Sequence, residues 1–505
     1  MACVIAVDAG TTGVRALAVA ESGAVVDVAY RELGQHFPRP GWVEHDAGEI
    51  WAKVAETLVE VAARRAGAGQ AVAAIGVTNQ RETVVAWDRS TGAPLHRAIV
   101  WQDRRTAESC DARREAGQLP LIRERTGLVL DPYFSASKME WLLGPGGVEP
   151  SPGLVLGTVD AWVIWNLTGG EAGGILATDP SNASRTMLYD IVDGEWSAEL
   201  CDLFGVPLGA LPEVRPSCGR IGTVGGDLGG EGSPLQGVPV SGVAGDQQAA
   251  LFGQACFEPG MAKVTYGTGS FVLLNAGPTC PAPAEGLLTT VAWDLGDKGG
   301  VTYALEGAVF ATGAAIQWLR DGLGIIGEAA EIGPLAARCQ DSGGVVVVPA
   351  FAGMGSPWWD PYARGTILGL SRGSGAPQLA RAVIEAMAYQ VRDVVDAMSE
   401  VLGRSAAVLR ADGGAAVLDL LLQLQADQLQ VPVARPTTTE TTGLGAATLA
   451  GLAEGVWGSL EELGRQWELD RAMTPAMPPE LAAIGHGAWL RAVDRARGWA
   501  RPAEV

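Results

Sequence analysis

Two stretches half a chain apart set the terms for this fold. "CVIAVDAGTTGVRALAVAESG" (3–23) and "GMAKVTYGTGSFVLLNAG" (260–277) share one layout: a β-branched run, a Gly/Thr turn, and a second apolar run. A hairpin repeated at that separation predicts two similarly built domains facing each other across a cleft, the second beginning near residue 254. Taken alone, such a turn is also ordinary hairpin punctuation, because glycine supplies positive φ. Between the two hairpins and beyond them, strand-like runs ("VAAIGV", "VPVSGVAG", "VVVVPAF") alternate with helical ones ("EIWAKVAETLVEVAARRAG", "QLARAVIEAMAYQVRDVVDAMSEVLG"). The class is therefore α/β. The 505 residues are too many for one core and divide into domains of 1–253 and 254–505.

Charge narrows the partners. A formal net charge of -21 opposes encounter with a nucleic-acid backbone or an anionic membrane surface. The seven cysteines (Cys3, Cys110, Cys201, Cys218, Cys256, Cys280, Cys339) form no CxxC pair, and the four histidines show no metal-ligand spacing. Met1 leads directly into an apolar strand without a basic leader, and no apolar run is long enough to span a bilayer. These features predict reduced thiols and a soluble cytoplasmic protein.

The turns suit phosphate. Converging backbone N–H groups, hydroxyl donors and small residues are what an anion needs for close approach. Gly10, Thr11, Thr12 and Gly13 meet that description, as do Gly267, Thr268, Gly269 and Ser270. Asp8 adds a carboxylate beside the first turn, where Mg2+ bridging nucleotide phosphates could be held; an Asp there could also simply cap the turn. A third element, Gly413 and Gly414 in "LRADGGAAVLDLLLQLQADQL", opens a long helix and would let an adenosine lie on bare backbone.

Arg81 and Glu82 sit side by side between "AVAAIGV" and "TVVAW". Opposite charges in such a place could form a structural ion pair at a strand end. They also suit a substrate made of hydroxyls, since Arg offers only donors and ionised Glu only acceptors. Asp246 follows "VPVSGVAG" and precedes "QQAALFGQ". This strand-to-helix junction can project a side chain into a cleft, and is equally a favoured capping position.

The three glycine turns, in this order and spacing, resemble the phosphate and adenosine motifs of the actin-like ATPase (ribonuclease H-like) fold. The resemblance narrows further. "DAGTTGVRALAV", "PGWVEHDAGEIW", "IGVTNQRET", "AIVWQDRRTA", "TGLVLDPYFSASK", "TDPSNASRTML", "AGDQQAALFGQ", "YGTGSF", "YALEGAVF" and "FAGMGSPWWDPYARG" occur in the order found in the glycerol branch of the FGGY carbohydrate kinases. The match runs from about residue 4 to about residue 460.

That resemblance implies phosphorylation of glycerol by ATP with Mg2+. It implies Asp246 as general base and Arg81, Glu82, Tyr133 and Gln247 as polyol contacts, with Trp101 and Phe271 as aromatic walls. Thr11, Thr12, Gly13, Arg15, Thr268, Gly313, Gln317 and Gly414 would meet the nucleotide, and Asp8 the metal. A homodimer or homotetramer is also implied; the two-domain architecture itself predicts closure about a hinge, which brings donor and acceptor together and keeps out water.

Two departures stand out. The family's adenosine segment carries two Asn where this chain has Leu418 and Asp419, and the first Asn contacts adenine, so nucleotide binding should be weaker. No Lys or Arg occurs between Arg220 and Lys263, so inhibition by a sugar bisphosphate, which some members bind there with a basic residue, is not expected. The same region lacks His, which argues against activation through phosphohistidine. The alternatives are an FGGY kinase acting on another polyol or ketose, and a nucleotide-binding regulator without catalysis.

Overall fold

The computed structural model describes residues 2–226 and 228–501. Two mixed sheets dominate it. The first contains β1 (Ala2–Ala9), β2 (Gly13–Ala20), β3 (Val25–Glu32), β4 (Ala71–Asn79), β5 (Cys218–Thr223) and β6 (Pro239–Gly245), in the order β5-β6-β4-β1-β2-β3. The second contains β7 (Met261–Tyr266), β8 (Ser270–Gly277), β9 (Leu288–Asp294), β10 (Val301–Val309), β11 (Val408–Asp412), β12 (Val433–Pro436) and β13 (Leu469–Met473), in the order β9-β10-β8-β7-β11-β12-β13.

The sheets share one topology. β1, β2 and β3 form an antiparallel meander, β4 and β6 run parallel to β1, and β5 closes the edge antiparallel. β7, β8 and β10 repeat the meander, β11 and β12 the parallel pair, and β13 the antiparallel edge. Only β9 has no counterpart; it pairs with β10. The β1–β2 and β7–β8 turns therefore occupy equivalent places, as the repeated hairpin predicts. The architecture is α/β in two halves, as expected.

β1 is buried almost throughout, because its sheet is covered on both faces. One cover is α1 (Ala47–Gly67), whose N-cap Asp46 accepts from the Glu49 N–H. The other is a helix from far along the chain, Thr441–Ala453. Among the helices between them in sequence are α2 (Ser135–Leu143), α3 (Asp246–Gly253), α4 (Ala376–Leu402) and α5 (Asp419–Leu429), and the late helix is labelled α6. It reads "TTGLGAATLAGLA", nearly all small residues. Their size permits close seating on the first sheet and on α3. A Cβ at Gly76 of β4 would lie 2.1 Å from the Ala446 carbonyl oxygen, and one at Gly445 1.8 Å from that of Ala249. The cluster formed there joins Val4, Ala6 and Leu17 to Ala446 and Ala450, and to Leu273 and Trp293 of the second sheet.

The long segment between β4 and β5 has its own apolar cluster around Phe134, Met139 and Leu156. It reaches β9, where the Ser184 and Thr290 hydroxyls lie 2.8 Å apart and Thr289 N–H donates to the Gly127 carbonyl. Among the described residues no helix is long and apolar enough to cross a membrane.

Candidate active site

Arg81 and Glu82 lie in the bend after β4, and both are buried. Glu82 takes a left-handed backbone, φ 61°, unusual for a residue with a Cβ. The adjacency read from the sequence is not the pairing: Arg81 Nε lies 3.8 Å from Glu82 Oε1, the longest of its ion contacts. Arg81 instead forks onto Glu306 of β10 at 2.5 and 3.1 Å. Glu82 accepts from Arg185 Nε at 2.7 Å, and Arg185 also reaches Glu306 at 2.9 Å. Two guanidiniums thus alternate with two carboxylates in a closed, buried arrangement that each half helps to build. Burial raises the Glu82 carboxyl, with the two arginines pulling the other way. At Glu306 burial also pushes upward, but Arg185 and Arg81 outweigh it and hold the carboxyl at about 2.

Arg81 also organises the expected polyol residues. Its Nη2 donates to the Tyr133 hydroxyl at 3.2 Å, its Nη1 to Gln248 Oε1 at 3.2 Å, and its Nε lies 3.2 Å from Asp246 Oδ1. Asp246 opens α3 just after β6, and 32% of its side chain stays exposed. Its carboxyl is raised, burial outweighing Arg81 and Lys263. Lys263 of β7, fully buried, donates to Gln247 Oε1 and to Thr265 Oγ1, so the neighbour of Asp246 is held from the opposite half. Asp8, next to last in β1, is pushed up to about 7, first by burial and then by the charge of Asp246.

Both Gly/Thr turns have their carbonyls tied back. Gly10 O accepts from Gln80 Nε2, Thr11 O from Gln35 Nε2, and Thr12 O from Leu33 N–H. In the second turn Gly267 O accepts from Gly313 N–H and Thr312 Oγ1, and Thr268 O from the N–H groups of Thr312 and Ala314. Among the described residues the N–H groups of Thr11, Thr12, Thr268 and Gly269 find no protein acceptor. Donors outward and acceptors behind make each turn a receptor for an anion.

The remaining expected residues are less tightly drawn in. Trp101 bridges the two ends: its Nε1 donates to Thr11 Oγ1 at 2.9 Å and its ring meets Tyr133 edge-on, centroids 5.6 Å apart. Phe271 is half-buried against the cluster joining the halves. Gly13 is a packing glycine, since a Cβ there would fall 2.4 Å from the Tyr30 hydroxyl. Arg15 pairs with Glu440 at 2.5 Å. Gln317 is exposed at the end of the short helix Gly313–Gln317.

The Gly-Gly element departs from the expectation. Gly414 starts a 3-10 turn to Val417, and the long helix α5 begins only at Asp419, because Leu418 between them is extended. Gly414 is exposed with no protein atom within 4 Å of a would-be Cβ, which leaves room for a ligand on its backbone. Leu418 packs against the second core, and Asp419 is committed to Arg435 and Arg471.

The chain matches the model for the N-terminal domain of the FGGY family of carbohydrate kinases over residues 3–253, and that for the C-terminal domain over 262–454. The chain belongs to the FGGY family of carbohydrate kinases. It is 51% identical to a glycerol kinase of Bordetella parapertussis over 99% of this chain and 98% of the relative. It is 52% identical to a glycerol kinase of Trichlorobacter lovleyi, over 99% and 100%. Its structure superposes on Plasmodium falciparum glycerol kinase with ADP at a TM-score of 0.93 and 32% identity, covering 98% of both chains.

In this FGGY kinase, sequence reasoning assigned no role to Arg185, Gln248, Lys263 or Glu306. Their only signal is a polar group inside an apolar context, such as Glu306 in "VTYALEGAVF". That signal marks burial with a partner without naming the partner.

Proposed function

We propose that this kinase transfers the γ-phosphoryl group of ATP to a terminal hydroxyl of glycerol. The observation that carries the reading is the convergence of Arg81 on Asp246, Tyr133 and Glu306 within 3.2 Å, in a chain so similar to glycerol kinases over its full length. Glycerol is almost all hydroxyl, so its recognition needs donors and acceptors fixed close together. Arg81 donates, Glu82 accepts, and Tyr133 and Gln247 complete the grip, while Trp101 and Phe271 flank the carbon chain.

Asp246 takes the proton from the attacking hydroxyl, whose oxygen forms the new bond to phosphorus as the bond to ADP breaks. A carboxyl raised by burial is a better base near neutrality than an ordinary one. The outward N–H groups of the two turns hold the donor's phosphates, and Gly414 leaves space for the nucleoside. Asp8, facing the charge of Asp246, suits a divalent cation, since Mg2+ usually binds through one or two carboxylates plus phosphate oxygens. Once bound, Mg2+ would offset negative charge on the transferred group. A direct in-line transfer needs no phospho-enzyme. Closure of the two halves would exclude water, a competing nucleophile.

31P NMR of the protein with Mg-ATP and glycerol tests this, with Asp246→Asn as control. Glycerol 3-phosphate should accumulate with the wild type and fall by about 10^3-fold with the variant. A wild type that leaves glycerol untouched but phosphorylates another polyol or a ketose would move the substrate within the family.

A further inference from the structure

The motif "TGLVLDPYFSASK" supplies Tyr133 to the polyol site, but its lysine has no part in the chemistry above. Lys138, in the first turn of α2, is fully buried. Its ammonium curls back on its own chain and donates to three successive carbonyls: Pro132 at 2.9 Å, Tyr133 at 2.7 Å and Phe134 at 2.7 Å. None of these bonds goes to a carboxylate. A buried cation without an ionic partner is costly, so its location under this one loop calls for a reason.

The loop presents the Tyr133 side chain to Arg81. Tyr133 N–H donates to Asp131, its ring meets Trp101 edge-on, and its hydroxyl accepts from Arg81. The next residue but one, Ser135, donates its hydroxyl to the Glu82 carbonyl at 3.1 Å, bracing the left-handed backbone there. Pro132 to Ser135 therefore touch both members of the Arg81–Glu82 pair. Three carbonyl oxygens gathered around one point would repel one another and let the loop relax without a cation among them.

We propose that Lys138 is a positioning residue of the polyol site: its ammonium clamps the carbonyls of Pro132, Tyr133 and Phe134 and so fixes the Tyr133 hydroxyl and the Glu82 backbone in their substrate-gripping places. This rests on the glycerol reading above.

The clamp has a built-in pH response. Burial pulls the Lys138 ammonium down to about 7, opposed by Glu82, Asp103, Cys110 and Asp131, the titratable groups that face it. On losing a proton the amine keeps two donors for three carbonyls, so the grip on glycerol loosens as pH rises through about 7. Stability moves the other way. The folded pKa lies below the ordinary lysine value of 10.5, so the unfolded chain binds more protons between the two values, and this group's contribution to stability rises with pH across that window.

The test is steady-state kinetics of the full chain, wild type, Lys138→Met, Lys138→Arg and Tyr133→Phe, with glycerol and ATP varied separately. Lys138→Met should raise the glycerol KM about tenfold, the equivalent of one lost charged contact, and leave the ATP KM unchanged. Lys138→Arg, always protonated, should recover most of that loss. Adding Lys138→Met to Tyr133→Phe should cost little more, since both act through one hydroxyl. For the wild type, the glycerol KM should climb between about pH 7 and 9, and with Lys138→Arg it should climb less, the remainder following Lys263, which donates to Gln247 and is pulled down to about 8 by burial.

An unchanged glycerol KM in Lys138→Met, or parallel loss of kcat, both KM values and thermal stability, overturns the inference and leaves the glycerol reading intact. A wild type that does not phosphorylate glycerol overturns the reading itself. If Lys138→Met yields no folded protein, Lys138→Gln decides, since an amide can meet at most two of the three carbonyls, and an unchanged glycerol KM there overturns the clamp.

Discussion

Where Arg81, Glu82 and Tyr133 meet, the cleft is made of side chains; where the two Gly/Thr turns and Gly414 meet, it is made of backbone. At the polyol end, charges from both halves are interlocked out of contact with water, and Glu306 and Arg185 fix what Arg81 can offer. At the nucleotide end, Thr12, Thr268 and Gly414 are exposed, and the carbonyls tied behind the turns decide which way the N–H groups point. The difference teaches where each end is vulnerable. Side-chain chemistry should dominate one, and Cβ atoms the other.

The largest effect is expected from Glu306→Gln. It leaves two buried guanidiniums with one carboxylate fewer, a loss of about 3–5 kcal/mol in urea unfolding, and turnover should fall with it. A change under about 1 kcal/mol would mean that the polyol end is not locked by charge. The acid response has a definite sign. Because Glu306 is depressed from 4.5 to about 2, its contribution to stability is present above pH 4.5 and is lost as pH falls towards 2.

An intermediate effect is expected at the backbone end. A Cβ at Gly313 would lie 2.6 Å from the Gly267 carbonyl oxygen, so Gly313→Ala should displace the second turn and raise the ATP KM about tenfold. The glycerol KM should hardly move. Equal rises in both would erase the distinction between the two ends. The smallest effect is a gain: Leu418→Asn offers a polar group beside the expected nucleoside position and should tighten ATP by about 1 kcal/mol. Equal nucleotide affinity in titration calorimetry would remove the idea that Leu418 weakens binding.

The same contrast governs what could be read from the sequence. The turns were legible because their requirement is local: small residues and hydroxyls within four positions, repeated on the same strand pattern. Arg81 and Glu82 were legible as an anomaly, but their partners were not. Glu306 lies 225 residues from Arg81 and Arg185 lies 103 from Glu82, and nothing in a linear string says which buried charge meets which. The adenosine element was half legible. Gly413 and Gly414 marked the turn, while the 3-10 turn before α5 came from the packing of Leu418, a tertiary contact.

The seating of α6 on the first sheet has a consequence for biosynthesis. During translation β1 to β6 and α3 emerge first, with one face of their sheet shaped for a helix that does not yet exist. The span from Gly253 to Thr441, roughly 190 residues, takes about 10–40 s to synthesise. For that interval the nascent half presents an uncovered surface including Val4, Ala6 and Leu17. It would be a client for chaperones that shield apolar surface on the ribosome, and it can complete its core only when nearly the whole chain has been made.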